Sequence, residues 1–101
     1  MKTVWHVTYK DNLEGILQDG LMPSNPIDFN DERGVYCFPN IESMEDALAN
    51  WLGDRLDESK EIVLIQLNIE GLNFKEVNNS YEIIVYDTIN PERIIGIHNE
   101  S

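Results

Sequence analysis

Ile62-Val63-Leu64-Ile65-Gln66-Leu67-Asn68 is almost unbroken in apolar side chains. A strand with one wet face alternates apolar and polar residues, whereas a strand covered on both faces does not. The run therefore predicts the central strand of a sheet with material packed on either side, and Glu70-Gly71-Leu72 turns the chain after it. At seven residues it is also far short of the roughly 20 that span a bilayer. No longer apolar run occurs, which predicts a chain without a transmembrane helix.

Outward from this strand, Val4–Tyr9 shows the other strand signature. Period-two alternation puts Trp5, Val7 and Tyr9 on one face and Val4, His6 and Thr8 on the other, so His6 and Thr8 point the same way. Asp11 or Asn12 can open a helix through Leu13, Ile16 and Leu17, with Gly20 as its terminator and Leu21 packing back. Residues 24–34, Ser-Asn-Pro-Ile-Asp-Phe-Asn-Asp-Glu-Arg-Gly, have the composition of a loop. Val35–Phe38 predicts a short strand closed by Pro39-Asn40. Ser43 and Asp46 resemble a capping box opening a helix through Ala47, Leu48, Trp51, Leu52 and Arg55. Tyr81–Tyr86 and Arg93–Ile97 predict two more strands, separated by Asp87-Thr88-Ile89-Asn90-Pro91. Five strands and two main helices make an α+β fold, and 101 residues with 42% hydrophobic side chains predict a single domain spanning 1–101 with one modest core.

Charge and cysteine usage narrow the chemistry. Nineteen acids against seven bases give a net charge of −12. Residues 1–50 carry nine acids and three bases and residues 51–101 carry ten and four, so each half holds −6. A field of that sign repels phosphate backbones and speeds encounter with a basic protein surface, which predicts a protein partner and no direct nucleic-acid binding. The N-terminus lacks a signal-peptide apolar run, which predicts a cytoplasmic location. Cys37, flanked by Tyr36 and Phe38, is the only cysteine and reads as a core residue. No Gly-rich phosphate loop or metal-ligand cluster is present, and His6 and His98, the only histidines, sit at opposite ends.

Three groups of residues in order carry a resemblance. His6-Val7-Thr8 is followed by Asn12-Leu13, Gly15-Ile16-Leu17 and Gly20-Leu21-Met22-Pro23. Gly34-Val35-Tyr36 comes next, then Tyr81-Glu82-Ile83-Ile84-Val85 with Asn90-Pro91-Glu92-Arg93-Ile94. Together they resemble ADP-ribosyltransferase-like domains of the His-Tyr-Glu type, such as the DNA-modifying DarT toxins and the RNA 2′-phosphotransferases. The resemblance implies a split, strongly bent sheet whose cleft takes NAD. His6, with Thr8 beside it, would hydrogen-bond the nicotinamide ribose, Tyr36 would stack on the nicotinamide ring, and Glu82 would be the catalytic acid. Arg33 and Lys10 are among the few bases placed to meet the NAD pyrophosphate. The additional arginines and histidine of the phosphotransferase members are missing, and the acidity argues against a nucleic-acid acceptor. The implied activity is mono-ADP-ribosylation of a protein. The alternative is a non-catalytic acidic binder on the same scaffold, such as an inhibitor occupying a basic nucleic-acid-binding surface.

Overall fold

The computed structural model describes residues 1–23 and 33–99. The expected loop over 24–34 thus lies mostly outside the described residues. In chain order the elements are β1 (Thr3–Tyr9), α1 (Leu13–Asp19), β2 (Val35–Cys37), α2 (Ile41–Ala49), α3 (Trp51–Arg55), β3 (Ile62–Asn68), β4 (Phe74–Val77), β5 (Glu82–Val85) and β6 (Ile94–Asn99). Short 3-10 turns at Lys10–Asn12 and Pro91–Arg93 lead into α1 and β6. The strands form two antiparallel three-stranded sheets, β1-β3-β6 and β2-β5-β4.

The apolar run Ile62–Asn68 is the middle strand of the first sheet. Val4 faces Leu67, His6 faces Ile65 and Thr8 faces Val63 across β1 and β3. Val63, Ile65 and Leu67 are fully buried on that face, against Ile16 of α1 and the inward side chains Val35, Cys37, Ile83 and Val85 of the second sheet. On the opposite face Trp5, Val7 and Leu64 pack against Phe38, Met44 and Ala47, with Trp51 and Leu52 of α3. The expected single core is therefore two clusters, one on each side of β1-β3-β6. Each fully buried aliphatic side chain contributes roughly 1.5–3 kcal/mol, and this sheet supplies Val4, Val63, Ile65 and Leu67 to that set.

A narrow seam joins the two sheets. Trp5 N donates to Phe38 O and Phe38 N donates to Trp5 O, both at 2.8 Å. A second bridge ties the end of α1 to the β5–β6 connection, with Leu21 and Ile89 exchanging two 2.8 Å bonds. Gly20 makes that return possible. Its φ is +83°, and a Cβ there would lie 2.3 Å from Ile89 O.

Several local expectations are corrected. Asn40, rather than Ser43, caps α2, its Oδ1 accepting from Ser43 N at 2.8 Å. The expected single helix to Arg55 breaks at Asn50 (φ −119°, ψ −105°), whose side chain turns back to Asp46 O at 2.8 Å. Asn12 makes no capping bond, and its Nδ2 donates to Thr8 Oγ1 at 3.1 Å. The sixth strand, β4, was not expected because Phe74-Lys75-Glu76 is exposed and carries two charges. Pairing with β5 holds it in place. Among the described residues no helix is long and apolar enough to cross a membrane.

Candidate functional site

His6 sits where the two sheets part. Trp5 and Phe38 form a hydrogen-bonded pair, so the next such pair along a continued ladder would be Val7 and Tyr36. The ladder does not continue. Tyr36 O instead lies 2.9 Å from His6 Nδ1, so the imidazole occupies the carbonyl that Val7 N would otherwise reach. A carbonyl only accepts, which fixes the proton on Nδ1 and leaves Nε2 as the ring's acceptor. Burial pulls the His6 pKa below its ordinary value of 6.5, with the Tyr36 carbonyl opposing, so the ring is neutral at pH 7.

The other expected site residues fall on neighbouring strands. Tyr36 of β2 is opposite Ile84 of β5, and Glu82 is two residues before Ile84. Alternation puts the Tyr36 and Glu82 side chains on one face of the second sheet, opposite the buried Val35, Cys37, Ile83 and Val85. His6 thus meets the Tyr36 backbone, while Tyr36 and Glu82 share a sheet face. Glu82 is half-buried, and its Oε1 accepts from Asn78 Nδ2 at 2.9 Å.

Asn78 belongs to a tight turn with three consecutive left-handed residues, Asn78, Asn79 and Ser80, at φ 55°, 57° and 66°. Asparagine tolerates that region better than most side chains, and the turn directs Asn78 onto the carboxylate. Sequence reasoning missed this residue. Its only signal was the polar Asn78-Asn79-Ser80 run immediately before the acidic strand.

Thr8 lies on the His6 face of β1, about 7 Å further along the strand. With Asn12, Ile16, Asp19 and Met22 it lines a shallow depression of about 370 Å³ between β1 and α1. Arg33 donates from Nε to Pro23 O at 3.3 Å, bringing those two residues together. Lys10 pairs with Glu61 at 3.3 Å on the surface. Near Glu82, the Tyr81 hydroxyl donates to Asp46 Oδ2 at 2.7 Å and its ring meets Phe38 edge-on, with centroids 6.2 Å apart. Partial burial and then the Asp46 carboxylate push the Tyr81 phenol up, keeping it a donor. Among the described residues no group of three or more His, Cys, Asp or Glu side chains is placed to hold a metal ion.

No protein-family model matches this chain, and no curated protein matches it.

Proposed function

We propose that this protein is an NAD-dependent mono-ADP-ribosyltransferase acting on a protein target with a basic surface. The observation that carries the reading is the His6 Nδ1 bond to Tyr36 O at the point where β1 and β2 separate. It supports a split sheet at that point and presents a neutral Nε2 acceptor suited to a ribose hydroxyl. NAD supplies the nicotinamide–ribose bond whose cleavage leaves positive charge on the sugar. In this reading His6 and Thr8 hold the ribose and the Tyr36 ring stacks on the nicotinamide. Arg33 offers its guanidinium to the pyrophosphate. Glu82, held by Asn78, places a carboxylate beside the developing charge and stabilises it.

The test is calorimetric titration with NAD at millimolar concentration, together with assay of nicotinamide release. Wild type binds and releases nicotinamide, His6→Ala loses binding, and Glu82→Gln binds with release reduced by about a hundredfold or more. Absence of both binding and release in the wild type would overturn the enzyme reading. The net charge of −12 favours a second reading, a non-catalytic acidic binder of a basic surface. In that case Glu82→Gln leaves partner binding intact.

A further inference from the structure

Helix α1 ends in an electrostatic conflict. Asp19 is its last residue, where the carbonyls of the final turn already carry negative partial charge, and no basic residue lies in that turn. An acid there is disfavoured by the helix dipole. Among the described residues no ion pair or hydrogen bond engages the Asp19 carboxylate. Beside it is the depression of about 370 Å³, with Ile16, Leu21 and Met22 as apolar walls. Met22 is 62% exposed and the neighbouring Leu17 is 50% exposed. At the far end Thr8 and Asn12 bond to each other, so Asp19 is the charged group left at the rim.

From this geometry we infer that the depression between β1 and α1 receives an arginine or lysine side chain from a basic protein partner. The aliphatic stem lies along Ile16, Leu21 and Met22 while the cationic head meets Asp19 and the terminal carbonyls of α1. Long basic side chains commonly bury the stem and keep the head at a polar rim. The chain's charge draws such a partner in and repels polyphosphate competitors. The contact rests on the basic protein partner of the proposed function and needs no NAD turnover, although Thr8, assigned there to the ribose, lines the far end of the same depression.

The test is an amide-shift NMR titration of the full chain with a short capped peptide rich in arginine and leucine, without NAD. Shifts are expected at Gly15, Ile16 and 19–22. Asp19→Asn weakens binding roughly two- to fivefold. Gly15→Leu does the same by filling the depression, and it keeps the fold because a Cβ at Gly15 meets nothing within 4 Å. Asp54→Asn on α3 binds like wild type. Shifts spread evenly over the acidic surface would overturn the inference. So would wild-type affinity in both Asp19→Asn and Gly15→Leu, or equal binding of spermidine at the same residues.

Discussion

His6 combines two properties that pull in different directions. Its ring is tied to a carbonyl that only a donor can satisfy, and burial disfavours its charged form. The folded-state pKa is below 6.5, so the unfolded chain takes up a proton first as pH falls. This residue's contribution to stability is complete above the unfolded pKa and declines as pH drops from 6.5 toward the depressed folded value. Urea midpoints measured at pH 7.5 and 5.5 are expected to fall for wild type. They should fall less for His6→Asn, which cannot take up that proton. Cys37 shows the same burial effect in a thiol. It is fully buried, and desolvation pushes its pKa far above the ordinary range. The native protein is therefore expected to resist an aromatic disulfide reagent at neutral pH and to react stoichiometrically once denatured in urea. Rapid labelling of native protein would contradict the buried placement.

Among the elements, those with strong periodic patterns were legible and those set by long-range pairing were not. The apolar run of β3 and the alternation of β1 correctly indicated a doubly covered strand and a shared face for His6 and Thr8. Neither pattern could reveal that the acceptor for His6 is a backbone carbonyl thirty residues away. β4 escaped because its side chains face water, and its extended shape is imposed by β5 and the left-handed turn at Asn78–Ser80. The break between α2 and α3 escaped because Ala47 to Arg55 keeps helical spacing. Asn50 leaves the helix through its own backbone angles, and a Cβ at Gly53 would lie 2.0 Å from Leu48 O. Gly20 shows how much can depend on one terminator. Gly20→Ala forces a side chain into a positive φ and against Ile89 O, so it is expected to cost about 2 kcal/mol or more. Denaturant unfolding checks this, and a loss under 0.5 kcal/mol would mean that the Leu21–Ile89 bridge relaxes at little expense.

On the scale of the whole molecule, two sheets share an apolar interior but, among the described residues, only one pair of main-chain bonds, Trp5 to Phe38, with the His6–Tyr36 bond beside it. Separation at that line leaves the pairing within each sheet intact, because β3 and β5 each keep both of their partners. Amide hydrogen exchange can detect this independently of any ligand. The Trp5 and Phe38 amides form a two-proton reporter whose protection is expected to fall together in His6→Ala. The fall should exceed that of the Leu64 and Ile65 amides at the centre of β3, which follow global unfolding. Equal losses at all four would show that the sheets part only when the chain unfolds. A selective loss would give the molecule a two-bond latch, with one imidazole setting how often it opens.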